Sequence, residues 1–387
     1  MKAAREKIFA SVKKVEKWLE EHQYKGYDPA DGLTSYLRPL TFGHLFLSRL
    51  LQQFIWRSPI NLRPLLGVRP LNSFIGCGYI ARAYLLMFGL TGDSSYRQKA
   101  SSCLNWLIQN RAPGYDHYCW GKMFDFASRA GWQEKYGPIT VWTSLIGQAF
   151  IDAYEIIGDR KYLAVARSVC EWILGVPRSQ TSSGSCISYT PSKEGEETIH
   201  NQSVLAAAML ARTARYSLNT EYLRMAHEAI EYTCTRQRPN GSWYYGEESK
   251  YHWIDNFHTG YILDSLKSYI ELTNDTKHEE TLRRGFSFYR NNFIEKNGRP
   301  KYYDIKTFPV DSQCVSQTID TLANFADHDD TSLELAVRVA IWAVDNMQDP
   351  SGFFYFRRYP YIVNRTPMIH WAQSTTYKAL ASLLSRM

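Results

Sequence analysis

Hydrophobic positions recur with the spacing of α-helices along most of the chain. In residues 139–158 and 203–218, small and apolar residues cover most of the helical circumference, which is typical of a helix buried on two sides. In residues 161–174 and 332–347, one face is apolar and the other is charged, which is typical of an outer layer. The pattern therefore predicts inner and outer helices that alternate along the chain.

Two kinds of connection join these helices. Six longer connections share one pattern, in which an aromatic residue near a helix end is followed by a polar linker, a glycine and further aromatic residues. They begin at Trp18, Trp106, Trp172, Tyr232, Tyr289 and Trp342. Five short pieces, such as GDSSY (92–96), combine a residue that ends one helix with one that caps the next. These connections predict five helical hairpins, at about 73–110, 139–174, 200–236, 255–293 and 311–347.

The two ends of the chain supply the halves of a sixth hairpin. Residues 3–22 have the pattern of an outer helix, and residues 369–386 have that of an inner helix. The simplest closed arrangement is an all-α (α/α)6 toroid of six hairpins, in a single domain that spans residues 1–387. An open solenoid is the alternative, although its terminal half-repeats would lack partners. Residues 36–70 fall outside the repeat and are expected to add one or two helices as a lid or brace.

One of the short pieces resembles a catalytic signature. DHDDT (327–331) is similar to the DxDDT motif of terpene cyclases, and QRPNGSW (237–243) is similar to a repeat of the same superfamily. The aspartate run nevertheless occupies the place of a short inter-helix turn. We therefore expect it to be a helix cap.

Composition and charge narrow the possible functions. Aromatic residues make up 14% of the 387 residues, which is high and suits both stacking grooves and a helical core. The net charge is +7 without a long Lys/Arg run, which argues against nucleic acid and mildly favours an acidic ligand. The oligomeric state stays open.

Targeting and metal-binding patterns are missing from the sequence. The charged amphipathic start has no apolar signal region, and no later stretch has about 18 uninterrupted apolar residues, so we expect a cytoplasmic protein without an integral membrane segment. Seven cysteines without a CxxC pair predict reduced thiols. No ligand spacing such as HExxH occurs, so neither a metal nor a cofactor is expected.

Several motifs together resemble a known family. They are RSPINLRPLLGV (57–68), PGYDHYCWG (113–121), ISYTP (187–191), GSWYYGE (241–247), WIDNFHTGY (253–261), PKYYD (300–304) and NMQDPSGFFYF (346–356). The set covers nearly the whole chain and resembles a six-hairpin family found in bacterial and archaeal surface-polysaccharide loci, related to the six-hairpin glycosidase-like superfamily. The resemblance implies the toroid and a role with glycans. It implies no particular reaction.

Candidate chemistry lies at the starts of the predicted inner helices. The long connections share one face of the toroid, and loops on a rigid scaffold commonly carry function. Four of the five first turns that we compared hold a His or Asp beside an amide or hydroxyl residue; these residues are His200, Asp255, His258, Asp311, Gln313 and His370. Helix capping accounts for the aspartates but not for the histidines. We therefore expect a ring of polar side chains around a substrate cleft.

Inverting glycoside hydrolysis is the first hypothesis for this cleft. It needs two carboxyl groups about 6.5–9.5 Å apart, one to protonate the leaving oxygen and one to activate water. Asp255 and Asp125 are our candidates, with Glu247 and Glu248 as alternatives. The aromatic residues expected to stack on sugar rings are Trp120, Trp142, Trp243, Tyr245, Tyr355 and Trp371.

Two further hypotheses remain open. A uronate C5-epimerase or polysaccharide lyase would use a Tyr or His as base and an Arg or amide to hold the acid group. His200, His258, Tyr118, Tyr303 and Arg358 are candidates for these roles. The protein could instead bind an oligo- or polysaccharide without catalysis, as part of a polysaccharide assembly system.

Overall fold

Two concentric layers of helices make up the architecture. The computed structural model describes residues 1–128, 131–192 and 198–387. The outer helices are α1 (Lys2–Glu21), α4 (Ser94–Gln109), α6 (Arg160–Gly175), α8 (Thr220–Cys234), α10 (Glu279–Phe293) and α12 (Asp330–Met347). The inner helices are α3 (Phe74–Thr91), α5 (Thr140–Ile157), α7 (His200–Ala214), α9 (Asn256–Thr273), α11 (Ser312–Asn324) and α13 (Thr375–Arg386). These helices match the hairpins predicted from the sequence.

The inner helices form a closed ring. Each contacts the next in chain order from α3 to α13, and α13 returns to contact α3. The first helix, α1, packs against both α13 and α12, so the two ends of the chain form the sixth hairpin. The fold is therefore the predicted (α/α)6 toroid, and the open solenoid is excluded.

The short inter-helix turns are helix caps. Asp93, Asp159, Asn219 and Asp329 each accept a hydrogen bond from the backbone N–H two residues further on, at the starts of α4, α6, α8 and α12. Capping satisfies N–H groups that have no partner within the helix. The aspartate run at 327–331 is thus a cap, as expected.

The longer connections need a glycine for the same structural reason at four positions around the ring. Four glycines have a positive φ and lie against a carbonyl oxygen of the following outer helix, so closely that a Cβ atom would come within 2.2–2.9 Å of it. The pairs are Gly184 with Glu228, Gly241 with Arg284, Gly298 with Arg338, and Gly352 with Lys14. Only glycine fits both the backbone conformation and the close approach. The last pair shows that α1 takes the outer position after α12.

The segment outside the repeat lies beside the long connections. It contributes one α-helix, α2 (Leu45–Arg57), between the short 3-10 turns Arg38–Thr41 and Pro64–Leu66. The Gln52 side chain accepts a hydrogen bond from the Ala127 N–H at 3.2 Å. Trp56 packs edge-on against Trp371, with ring centroids 6.2 Å apart. The segment therefore lies next to the first turn of the last inner helix.

Short strands shape the long connections. β1 (Phe126–Ala127) pairs with β2 (Trp132–Gln133), and β3 (Arg178–Thr181) pairs with β4 (Gly184–Ile187). A third sheet joins β5 (Val310–Asp311), β6 (Arg357–Arg358) and β7 (Val363–Asn364). In this sheet Asp311 lies opposite Arg357, and that pairing organises part of the site.

One helix in the described residues is long and apolar enough to cross a membrane by length and composition. It is the inner helix α3, and 61% of that stretch is buried within the protein. Its apolar character is accounted for by its place in the inner ring.

Candidate active site

A histidine–carboxylate pair lies at the start of α9. Asp255 caps the helix, because its Oδ1 accepts the backbone N–H of His258 at 3.0 Å. Its Oδ2 accepts from Nδ1 of His258 at 2.7 Å and from Nε1 of Trp253 at 2.9 Å. An ionised carboxylate only accepts hydrogen bonds, so Nδ1 carries the proton. The His258 side chain keeps 19% of its surface exposed, which leaves Nε2 as the ring nitrogen available to a ligand.

Aromatic rings surround His258. Tyr245 stacks on Trp253 at 4.6 Å, and its ring lies 4.4 Å from the imidazole. Phe257 lies 3.9 Å from His258 on the helix itself. The backbone of Tyr303 bridges that of Asp255, so two residues expected from the sequence, Tyr245 and Tyr303, are placed at this pair.

A second histidine–carboxylate pair lies at the start of the last inner helix. A π-helical turn (Ile369–Ser374) leads into α13 and carries His370, whose Nδ1 lies 2.8 Å from Oδ2 of Asp28. Burial alone would raise the pKa of Asp28, but the hydrogen bond and the charge of His370 lower it below its usual value. Trp142 and Trp371 both meet His370 edge-on at 5.5 Å. In both pairs, therefore, a carboxylate oxygen lies within hydrogen-bond distance of Nδ1 of a histidine at the start of an inner helix.

A lysine accompanies the second pair. The Nζ atom of Lys122 lies 5.1 Å from the Trp142 ring centre and 4.5 Å from that of Phe126. Burial lowers the pKa of Lys122 to about 8, although the charge of Asp28 acts in the opposite direction. Beside it, a cavity with room for about one water molecule is lined by residues that include Asp28, Ser73, Met123, Phe124 and Trp142.

A buried ion pair lies between the two histidines along the ring. Asp311 is completely buried and caps α11. It accepts hydrogen bonds from Arg357 Nε at 2.5 Å and from Trp371 Nε1 at 2.6 Å. Trp371 also packs against Phe257, with ring centroids 5.4 Å apart. Contacts therefore run without a break from His258 through Phe257 and Trp371 to His370.

Gln313 and the tyrosines next to it extend this polar ring. The Gln313 side chain donates to the hydroxyl of Tyr261 at 2.9 Å, and that hydroxyl lies 3.2 Å from the hydroxyl of Tyr79. Burial raises the pKa of Tyr79 to about 12, so these hydroxyls stay protonated near neutral pH. They link α3, α9 and α11 across the ring.

Two of the tryptophans expected to stack on sugar rings are instead packed between helices. Trp120 and Trp243 are 0% and 1% exposed. Their indole N–H groups donate to the carbonyls of Leu107 and Thr233, near the ends of α4 and α8. The prediction that these two tryptophans stack on sugar is wrong, because neither ring has a face that a ligand can reach.

Three other predicted residues belong to the outer layer. The Tyr118 N–H donates to Ser168 of α6, and the Tyr355 hydroxyl donates to Asp349. Arg358 donates to the carbonyl of Asn346 near the end of α12. Successive side chains of a strand point to opposite faces, so Arg357 faces the ring where Arg358 was expected. The assignment of Arg358 is corrected for that reason, and those of Tyr118 and Tyr355 are corrected because their contacts are with Ser168 and Asp349.

His200 is held in its neutral form. It is 2% exposed, and its Nδ1 has no hydrogen-bond partner. Burial, with the nearby charge of Arg236, lowers the pKa of His200 to about 3. Glu247 is exposed and pairs with Arg236 at 3.0 Å. An imidazole with that pKa is a weak base, so the expected catalytic role of His200 is not supported.

The predicted second carboxylate has other partners. Asp125 Oδ2 accepts from Arg38 at 2.5 Å, and Oδ1 accepts from the Lys135 N–H at 2.8 Å. These contacts make Asp125 a link between the 36–70 segment and the 111–138 connection. Its expected pairing with Asp255 is therefore not what the structure shows, because both of its oxygens are engaged elsewhere.

Sequence reasoning missed Asp28, Lys122 and Arg357. Asp28 lies in a segment that the repeat pattern left unassigned, directly after the first long connection. Lys122 stands three residues before Asp125, the second of the two carboxylate candidates. For Arg357 the alternation of side chains along a strand was the usable signal. Within the described residues, no group of three or more His, Cys, Asp or Glu side chains is placed to hold a metal ion.

Solved structures of similar architecture are known. The chain resembles a cellobiose 2-epimerase from Bacillus thermoamylovorans with 10% identity and a TM-score of 0.63, over 82% of this chain and 88% of that one. A GH76 α-mannanase from Bacteroides thetaiotaomicron has 13% identity and a TM-score of 0.62, over 82% and 88%. A D-mannose isomerase has 11% identity and a TM-score of 0.63, over 81% and 86%.

At these identities the likeness shows the six-hairpin fold and nothing finer. No protein-family model matches the chain, and no curated protein is detectably similar to it in sequence. The chemistry must therefore be argued from the site itself.

Proposed function

We propose that this protein is a carbohydrate-active enzyme that transfers a proton on a sugar, as an epimerase or isomerase does. The observation that carries the proposal is the pair of histidines, His258 and His370, each oriented by a carboxylate at Nδ1. A carboxylate in that position fixes the tautomer and leaves Nε2 to take or give a proton. Two such groups on one ring suit a reaction that removes a proton and returns it.

The proposed step balances within the site. One imidazole takes the proton from a sugar carbon next to a carbonyl, and the electron pair moves onto the carbonyl oxygen. In an epimerisation the other imidazole, already protonated, delivers its proton to the same carbon from the opposite face, and the electron pair returns from the oxygen to restore the carbonyl. In an isomerisation the hydroxyl proton on the deprotonated carbon moves to the former carbonyl oxygen, a new carbonyl forms at that carbon, and the proton is delivered to the former carbonyl carbon. The Lys122 ammonium, which contacts Trp142 and interacts with the charge of Asp28, would stabilise the negative oxygen.

The structure offers less support for hydrolysis. Both oxygens of Asp255 already accept hydrogen bonds, and Asp125 is bound to Arg38. Inverting hydrolysis needs one carboxyl group that donates a proton and another that activates water. Structures that resemble this chain include a mannanase as well as epimerases and an isomerase, so the experiment below must separate these reactions.

The sequence motifs and the aromatic side chains beside the two histidines indicate the class of substrate. Tyr245, Trp142 and Trp371 offer aromatic surfaces beside the two histidines, which suits a sugar ring. The motif resemblance to proteins of surface-polysaccharide loci favours an oligo- or polysaccharide, in the cytoplasm. The seven free cysteines fit a reducing compartment.

Incubation in deuterated water tests the reaction type. The full chain would be mixed with reducing sugars and with uronate-containing oligosaccharides, and the products followed by NMR. We expect deuterium at the carbon next to the carbonyl, or at C5 of a uronate. New reducing ends without deuterium would indicate hydrolysis and would overturn the proposal, and so would a new unsaturated product, which indicates elimination.

Histidine variants assign the reaction to the site. His258→Gln and His370→Gln are expected to abolish deuterium incorporation, because glutamine cannot carry the proton. His328→Gln is the matched control, since this histidine is exposed at the turn before α12. If the two site variants exchanged deuterium as fast as the wild type, the assignment of these residues would fail.

A further inference from the structure

The outward face of α2 is apolar, where a surface helix is normally polar. Phe46, Leu50 and Phe54 follow one another at intervals of four residues and are 63%, 58% and 58% exposed. Residues at this spacing share one side of a helix. The opposite side, with Ser48, Gln52 and Ile55, is buried against the protein. The helix therefore has a buried face and, separately, a phenylalanine–leucine stripe in contact with solvent.

The exposed hydrophobic residues are concentrated in this segment. Ten of the eighteen exposed large hydrophobic side chains in the described residues lie between positions 36 and 65. We call them the apolar patch; its members are Tyr36, Leu40, Phe42, Leu45, Phe46, Leu47, Leu50, Phe54, Ile60 and Leu65. Single exposed hydrophobic residues need no explanation, but a cluster of this kind marks an interaction surface.

The charged side chains within the segment that carries the apolar patch have one sign. No acidic residue occurs between Asp31 and Asp93. Arg49 and Arg57 lie eight residues apart on α2, at the edge of the stripe, and the sequence adds Arg69 after the helix. Arg38, before the helix, is paired with Asp125 of the neighbouring connection. An apolar helical face edged with arginines is the arrangement of helices that lie in the interface of an anionic membrane.

The segment is held firmly to the ring beneath it. Trp56 packs on Trp371, Asn364 donates to the Ser58 carbonyl at 2.8 Å, and Arg63 binds Asp31 in a buried ion pair. These contacts display the apolar patch on a rigid support, so little ordering is needed on binding. They also place it on the end of the toroid that carries the candidate active site.

We propose that the apolar patch docks this protein on an anionic lipid surface. The stripe would enter the boundary between head groups and acyl chains, and the arginines would contact the phosphates. A second copy of the chain fits less well, because a two-fold contact would bring the arginines of one copy near those of the other, and the segment has no acidic residue to pair with them. Docking would hold the long-connection end of the toroid against the membrane.

Vesicle binding tests this proposal. The full chain would be sedimented with vesicles of phosphatidylcholine alone and of phosphatidylcholine mixed with phosphatidylglycerol. We expect preferential binding to the mixed vesicles that weakens as salt is raised. The double variant Arg49→Gln/Arg57→Gln is expected to bind roughly 30-fold more weakly, and Phe46→Ser/Phe54→Ser is expected to lose binding.

Matched controls separate docking from folding. Ile156 and Leu218 are exposed at the other end of the hairpins, and the double variant Ile156→Ser/Leu218→Ser is expected to bind vesicles as the wild type does. Thermal unfolding would show that all variants fold, since every altered side chain reaches the surface. The assay involves no catalysis, so its outcome is independent of the proposed reaction.

Three outcomes would overturn the proposal. The first is that the protein binds neither kind of vesicle. The second is that it binds them equally well with and without Phe46 and Phe54. The third is a dimer in solution that dissociates in Phe46→Ser/Phe54→Ser while vesicle binding is absent, which would assign the apolar patch to a second copy of the chain.

Discussion

Asp255 performs two tasks, because the carboxylate that caps α9 also holds the imidazole of His258. Capping and positioning can be separated by chemistry. Asparagine caps a helix about as well as aspartate does. It cannot, however, supply a charged acceptor to Nδ1, so the tautomer and the charge of the imidazole are no longer controlled.

The variant Asp255→Asn is therefore expected to remain folded and to lose activity. By analogy with other carboxylate–histidine pairs, the rate should fall by about 10³–10⁴, while the melting temperature stays close to that of the wild type. Asp159→Asn is the control, since Asp159 caps α6 on the opposite face. Equal activity losses in the two variants would contradict the role assigned to Asp255. Deuterium exchange and thermal unfolding supply the two measurements.

Lys122 is a residue whose charge costs stability. Its pKa is lowered to about 8, mainly by burial. The unfolded chain keeps this proton up to the ordinary lysine pKa of about 10.4. Between these two values the unfolded state binds more protons than the folded state, so stability rises with pH across this window.

Lys122→Met should remove this pH dependence. At pH 7 we expect the variant to be more stable than the wild type by on the order of 2 kcal/mol, because a charged group no longer has to be buried. The difference should shrink as pH rises from about 8 to about 10. Chemical unfolding at several pH values measures it, with Lys135→Met as the control at an exposed position. A constant difference at all pH values would count against the assignment, and lost activity would show that the charge serves function.

At the scale of the elements, the register of the short strand β6 gives its two arginines different roles. Arg357 pairs with the buried Asp311 opposite it, and Arg358 contacts the end of α12. Neighbouring arginines in the sequence are thus in very different surroundings. Burial acts against the charge of Arg357, but Asp311 raises its pKa above the ordinary value.

Truncating the two arginines should therefore have unequal effects. Arg357→Ala leaves the fully buried carboxylate of Asp311 without its partner and is expected to lower the free energy of unfolding by about 3–5 kcal/mol. Arg358→Ala should lower it by less than about 1 kcal/mol. Denaturant titration of both variants provides the comparison. Similar losses would mean that the register of β6 is not the one described.

For the whole molecule, closure depends on contacts between the two ends of the chain. The connection after α12 approaches α1 at Gly352, as the equivalent connections approach α8, α10 and α12. Gln348 strengthens this contact, because its amide donates to the carbonyls of Ser11 and Gly352. The toroid is thus closed by the same glycine–carbonyl contact that joins its other hairpins.

Gly352→Ala should loosen this closure. The new Cβ would lie 2.4 Å from the Lys14 carbonyl at a φ of +113°, and we expect a loss of about 3 kcal/mol from clash and strain together. Gly114→Ala is the control, since its φ is +79° and its surroundings are open; it should lose about 1 kcal/mol. Thermal unfolding measures both. Equal losses would show that backbone strain alone, and not the approach to α1, requires the glycine.

How much of the structure can be predicted from the sequence depends on how far apart in the chain the interacting residues lie. Helix bounds, caps and the number of hairpins follow from residues a few positions apart, and the count of half-repeats at the ends predicts the ring. The histidines at the starts of α9 and α13 were also visible, because they interrupt an apolar pattern where capping does not require them. The aromatic residues were harder to place, since Trp120 and Trp243 have the same local pattern as residues at a site.

The chain by itself therefore determined the toroid, its order of helices and the face that carries the polar first turns. Only the tertiary structure decided which side chains meet there, as when Asp28 reaches His370 across 342 positions of sequence and Asp125 turns to Arg38. The physical reason is that helical periodicity is a local property, whereas a hydrogen bond between distant segments depends on how connections of irregular backbone return to the ring. The stripe on α2 depends on both. Its four-residue spacing can be read from the sequence, but only the tertiary structure shows that this face of the helix is exposed to solvent.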